Sequence, residues 1–240
     1  MLGRLAGSWR RAHVEAALAH AALPLQVAPE FYARLGAHAL AFAAGRAARV
    51  TVGPALRAAI DATEGEPKVV FASHTGNWEA ALAGMAQHLP LVAIVKRQSQ
   101  AWAERLASRR RDMAGIASIR PEGSMAAGLA ALSQGNTLVA LGDQAPHRQR
   151  GAVWDRFLGQ DCWTDKSPAV LAARARTPLW VIAQHEDADC THVELLGSLA
   201  PRASTVDAVT RDATALLDAF VRAHPADWLW LHHRWKDVPR

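Results

Sequence analysis

The sequence predicts a single α/β domain: a mixed, largely parallel sheet flanked by helices and preceded by a helical N-terminal region. Three observations carry this expectation. From about Ser8 to Ala62 the text is rich in alanine and leucine at helical spacing, with breaks at Pro24, Pro29 and Gly53-Pro54, which reads as a series of short helices. After Gly65-Glu66-Pro67 the character changes to short β-branched runs: Val69-Val70-Phe71, Leu91 to Val95, Thr137 to Leu141, Leu179 to Ile182 and Val193 to Leu196. Helical segments separate these runs, and strands alternating with helices imply layers built on a sheet. No internal repeat, low-complexity tract or long linker divides the chain, so its 240 residues read as one domain. Residues 1–65 form its helical region and residues 66–240 the α/β core that carries the candidate site.

Half of the sequence is hydrophobic, enough to bury a sizeable core at this length. The formal net charge of +5 suits acidic partners such as anionic lipid, nucleic acid or an acidic protein. Lysine stands only at Lys68, Lys96, Lys166 and Lys236, and the other cations are arginine beside abundant alanine. Biased coding composition would give that pattern without any partner. Cys162 and Cys190 form no CxxC pair, and the histidines make no zinc-ligand spacing with them, so neither a disulfide framework nor a metal site is expected. Val14 to Ala28 is interrupted by Glu15, His20 and Pro24, and Leu35 to Ala44 by His38, so no stretch is expected to span a bilayer. The basic start at Arg4, Arg10 and Arg11 precedes an apolar run that contains Glu15 and His20, which argues against a secretory signal.

The most informative text is Val69 through Glu79. A strand delivers His74 to its C-terminal end, Gly76 permits a sharp turn, and Asn77 is suited to cap the helix that follows. Glu79 then falls in the first helical turn, folded back toward His74. A carboxylate beside an imidazole fixes its tautomer and raises its basicity, as a general base requires. Open α/β sheets also bind ligands beyond the carboxyl ends of their strands. On spacing alone, a capping-turn histidine with a surface glutamate reads equally well. No GxSxG elbow, Walker loop or GxGxxG appears, which removes the strong signatures of serine hydrolases and nucleotide enzymes.

The block His74-Thr75-Gly76-Asn77-Trp78-Glu79 resembles the HxxxxE/D motif of the late lipid A acyltransferases, the lauroyl and myristoyl transferases of lipopolysaccharide assembly. Two further blocks follow in the right order. Gly142-Asp143-Gln144 resembles that family's Asp-Gln segment, and Trp228 through Lys236 resembles its C-terminal WxHxRWK signature. Arg150-Gly151 and Phe157-Leu158-Gly159 through Thr164 are similar to the text between them. Arg120-Pro121-Glu122-Gly123-Ser124 resembles the PEGT motif of the glycerophosphate acyltransferases, but no arginine follows it closely, so Glu122 reads as a helix-start residue.

The resemblance implies direct transfer of a fatty acyl group from a thioester to a hydroxyl, with no cofactor and no covalent acyl-enzyme. His74 would be the base and Glu79 its partner. Arg97 would bind phosphate or stabilise the oxyanion, Asn77, Asp143 and Gln144 would position substrate, and Arg234 and Lys236 would bind phosphate on a lipid or on a phosphopantetheine arm. The implied donor is acyl carrier protein or acyl-CoA, and the acceptor a lipid or a specialised metabolite. Members of that family usually begin with a membrane-spanning helix; here the expectation is peripheral contact with the inner face of the cell membrane from the cytoplasm. For Trp228 and Trp230 the alternation with Leu229 and Leu231 suggests the core face of a closing strand. Two other classes compete: a non-catalytic module that binds anionic lipid through its arginines, and a thioesterase. No helix-turn-helix or RNA-recognition signature supports nucleic acid as the partner.

Overall fold

The computed structural model describes residues 10–45, 48–146, 149–187, 190–202 and 205–236. Arg4 lies outside them. In chain order the elements are α1 (Arg11–His20), α2 (Val27–Ala43), β1 (Arg49–Val52), α3 (Pro54–Ala62), β2 (Lys68–Ala72), α4 (Trp78–Met85), β3 (Leu91–Ile94) and α5 (Ala101–Met113). Then come β4 (Ala117–Ile119), α6 (Ser124–Ser133), β5 (Thr137–Leu141), β6 (Ala152–Phe157), β7 (Gln160–Asp165), α7 (Ser167–Ala175), β8 (Leu179–Glu186), β9 (Cys190–Leu199) and α8 (Val206–Ala223).

Seven strands form one sheet in the order β1-β9-β8-β2-β5-β3-β4, and β6 and β7 form a separate antiparallel hairpin. Every neighbouring pair in the large sheet is parallel except β8 and β9. This is the mixed, largely parallel α/β sheet the sequence predicts. Helices cover both faces, so central strands are buried on both sides and read as continuous apolar runs. All five residues of β2 are buried. Alternate side chains feed two cores: Val69 and Phe71 pack with α1, α2, α6, α7 and α8, whereas Val70 and Ala72 pack with α3 and α4.

Two segments differ from expectation. The N-terminal region is not wholly helical, because Arg49–Val52 adds β1 beside β9. Val50-Thr51-Val52 is a β-branched run of the length that edge strands favour, and the Gly53 N–H extends the pairing to the Val193 carbonyl at 2.9 Å. The tail from Trp228 is not a closing strand. It makes one isolated bridge, Trp228 with Thr75, and then turns tightly, the Trp230 and Arg234 N–H groups bonding the carbonyls two residues back. Trp228 and Trp230 are buried as core, in line with their alternation.

Candidate active site

His74 and Asp143 are brought together by sheet register. Strands β2 and β5 are parallel neighbours with Ala72 opposite Leu141, and each candidate residue lies two positions past its strand. Parallel neighbours run about 4.8 Å apart, so the side chains meet at the carboxyl edge. Gly142 makes the approach feasible, since a Cβ there would lie 2.4 Å from the Phe71 ring. Asp143 is buried, and its Oδ1 accepts from the His74 ring at Nδ1 at 2.8 Å. Its Oδ2 accepts from the His74 backbone N–H and from the Trp228 indole N–H, both at 2.9 Å. Burial pushes the Asp143 pKa up, but the attraction of His74 and these hydrogen bonds outweigh it and hold the carboxyl below its ordinary range. An ionised carboxylate can only accept, so Nδ1 carries a proton, and the lone pair of the neutral ring is the one on Nε2.

Glu79 has a different partner from the one its spacing suggests. Its Oε1 accepts from Arg111 Nη1 at 3.1 Å, with Arg111 buried on α5. Burial raises the Glu79 pKa against the opposing pull of Arg111, Arg110 and His74. The tautomer-fixing bond to His74 therefore comes from Asp143, fixed by the sheet, while Glu79 ties α4 to α5. Asn77 caps α4 as expected, its side chain accepting from the Ala80 N–H at 3.1 Å.

The turn carrying His74 is clamped on both sides. Gln184 on β8 donates from Nε2 to the Ser73 and Thr75 carbonyls at 3.0 and 2.6 Å, and Glu186 Oε1 accepts from the Asn77 N–H at 3.0 Å. From the C-terminal tail, Leu229 N–H bonds the His74 carbonyl at 2.9 Å, and the Asp227 carbonyl accepts from Gly76 N–H at 2.8 Å. A second histidine closes the arrangement: His232 Nε2 accepts from the Ala145 N–H at 2.9 Å. Burial lowers the His232 pKa to about 4, with Asp143 opposing and His74, Arg234 and Lys236 adding to the shift. His232 is thus neutral at pH 7, with its lone pair on Nε2.

The other sequence candidates are dispersed. Gln144 follows Asp143 and is half-buried, whereas Arg97 is exposed on the loop after β3, at the same carboxyl edge of the sheet. Arg234 is buried and serves the fold: it donates to the Trp163 carbonyl and to Thr164 Oγ1 on β7, and lies over the Phe157 ring. That placement leaves it no open face for a ligand phosphate. Lys236 is exposed, as is Glu122 in the turn before α6. The clamp residues Gln184 and Glu186 and the ion-pair partner Arg111 carry no motif that spacing alone would single out, whereas His232 is the histidine of the tail signature Trp230-Leu231-His232-His233-Arg234-Trp235-Lys236, although that signature gave it no role.

The family profile for bacterial lipid A biosynthesis acyltransferases matches residues 58–237. The chain belongs to that family. No curated protein matches it. The matched span of this acyltransferase-family chain runs from within α3 to the C-terminal tail, and so contains β2, β5 and the segment holding Trp228 and His232. Among the described residues no helix is long and apolar enough to cross a membrane.

Proposed function

We propose that the protein transfers a fatty acyl group from a thioester, on acyl carrier protein or coenzyme A, to a hydroxyl of a lipid or lipid-like acceptor. The observation that carries this reading is the His74–Asp143 pair, with its proton on Nδ1 and the Nε2 lone pair left for a substrate. His74 Nε2 takes the acceptor's hydroxyl proton while the oxygen attacks the thioester carbonyl. The tetrahedral intermediate collapses, the C–S bond breaks, and the leaving thiolate takes the proton from the imidazolium. An ester and a free thiol result, with no net proton change. Asp143 stabilises the transient imidazolium without itself accepting the proton, as in other carboxylate–histidine pairs. Arg97 is positioned to meet anionic charge, since its loop lies at the carboxyl edge that carries His74.

Glu79 acts in this reading through Arg111, fixing the first turn of α4 behind His74. The net positive charge favours an acidic carrier protein or an anionic membrane surface as partner. The test is mass spectrometry of lipids and metabolites from cells expressing wild type or His74→Ala. A product heavier by one acyl group, seen only with wild type, is expected. Thiol release without any acylated product would instead indicate a thioesterase, and transfer by folded His74→Ala would sink the mechanism.

A further inference from the structure

A second feature adjoins the His74 turn but is not explained by the proton transfer. A cleft of about 830 Å³ lies between the end of α2, β1, α3, α4 and α5, within the size range of small-molecule sites. Asn77, Glu79 and Ala80, just past the His74 turn, form part of its wall. One side is apolar, built from Phe42, Val50, Val52, Ala83, Leu106 and Met113. The other carries Arg57, Arg109, Arg110 and Arg111 against one carboxylate, Glu79.

These cations are held in place and only partly neutralised. Arg111 is buried and gives Nη1 to Glu79, yet its Nε has no hydrogen-bond partner. Arg110 donates to the Phe42 carbonyl and lies 4.2 Å over the Phe42 ring, contacts that fix the guanidinium without cancelling its charge. Arg57 lies against the His88 ring, at 3.1 and 2.9 Å. Arg109 is exposed at the edge of the cleft. Preorganised guanidiniums in excess over carboxylate form a site for a multiply charged oxyanion. The adjoining apolar wall suits a chain attached to it.

We propose that this cleft binds the phosphate-bearing end of a reactant, with the phosphate on its arginine-lined side and the attached chain along the Phe42–Val50–Met113 wall. The inference rests on the acyl-transfer reading for which reactant is bound, but not for the binding itself. Two sources share this chemistry: the phosphopantetheine arm of a donor, and a phosphorylated lipid acceptor.

The experiment is calorimetric titration of the full chain with octyl phosphate below its micelle concentration. Saturable one-to-one binding is expected, at least about tenfold tighter than inorganic phosphate, octanol or octanoate and weakened by salt. The rim variant Arg57→Gln/Arg109→Gln should lose at least about tenfold in affinity, and Ala83→Trp, which fills the cleft, should lose binding; unchanged circular dichroism and melting serve as the control for folding. His74→Ala should bind as wild type does, so failure of the transfer chemistry and failure of this site are read separately. Displacement of octyl phosphate by phosphopantetheine would assign the cleft to the donor, and its absence to a phosphorylated acceptor. Absence of octyl phosphate binding, equal binding of octanol, or indifference to both variants would overturn the inference.

Discussion

At Asp143 the identity of each oxygen matters. Oδ2 receives two N–H groups, from His74 and Trp228, and Oδ1 receives the imidazole Nδ1–H. In Asp143→Asn the single amide oxygen satisfies the two fixed donors, which turns the NH2 toward Nδ1. Nδ1 must then accept, the ring proton moves to Nε2, and the lone pair that would remove the acceptor's proton is lost. The expected outcome is a fall in kcat of about 10²- to 10⁴-fold with little change in KM, measured in a purified transfer assay. Transfer at wild-type rate would refute the assignment of Asp143 as the positioning residue. His232 allows a separate test through stability. Its folded pKa of about 4 lies below the ordinary histidine value, so between roughly pH 6.5 and 4 the unfolded chain binds a proton that the folded chain does not. Wild type therefore loses this contribution as pH falls, by about 1–2 kcal/mol across that window once solvent screening of the partly exposed ring is allowed for. His232→Gln keeps an acceptor for the Ala145 N–H and removes the titration. Its stability relative to wild type should rise as pH falls, followed by urea denaturation at several pH values; parallel curves would refute it.

Among the elements, those with strong patterns were legible. The apolar runs at Val69, Leu91, Thr137, Leu179 and Val193 all became strands of the large sheet, because strands buried on both faces leave uninterrupted β-branched text. Short or locally polar strands were not. β1 and β4 are edge strands of four and three residues, too short for a period to show, and the β6–β7 hairpin turns at Leu158-Gly159 without an Asn-Gly or Asp-Gly signal. Leu158 takes φ 52°, a left-handed conformation uncommon for leucine, and is held there by burial and by donating its N–H to Asp218. The site was legible in its strand-end residues but not in its pairing. Spacing linked His74 to Glu79 along the chain, whereas β2 and β5 joined His74 to Asp143 across the sheet, which no local pattern encodes. The tail clamp is also long-range: Arg34 on α2 bonds the buried Asp227 carboxylate at 2.5 Å, and Asp227 in turn holds Gly76 through its carbonyl. Arg34→Ala would leave Asp227 buried without its cation, with an expected destabilisation of about 2 kcal/mol, discounted because Arg34 is partly exposed. Adding Asp227→Asn should recover part of this loss in a denaturation cycle. Additive effects of the two substitutions would rule out the coupling.

Across the whole molecule, the location of exposed apolar side chains bears on how the proposed lipid acceptor would reach the site. Trp102 is 59% exposed and Met113 78%, at opposite ends of α5. At 3.6 residues per turn, positions 102, 106, 109 and 113 lie along one stripe, so Trp102, Leu106, Arg109 and Met113 share a face of α5. Leu106, Arg109 and Met113 also line the arginine-bearing cleft. An apolar stripe containing a cation is the pattern of a helix that lies in a membrane interface, and its position would turn the cleft toward the lipid. The protein is therefore expected to float with vesicles containing phosphatidylglycerol, and to be released as salt screens Arg109 and its neighbours. Trp102→Ser/Met113→Ser should reduce the bound fraction severalfold on the same vesicles while leaving the melting temperature unchanged, since neither side chain belongs to the core. It should also slow transfer to a bilayer-embedded acceptor far more than transfer to a short-chain soluble one. That split follows only if α5 delivers the lipid, because damage to His74 or Asp143 would slow both reactions equally.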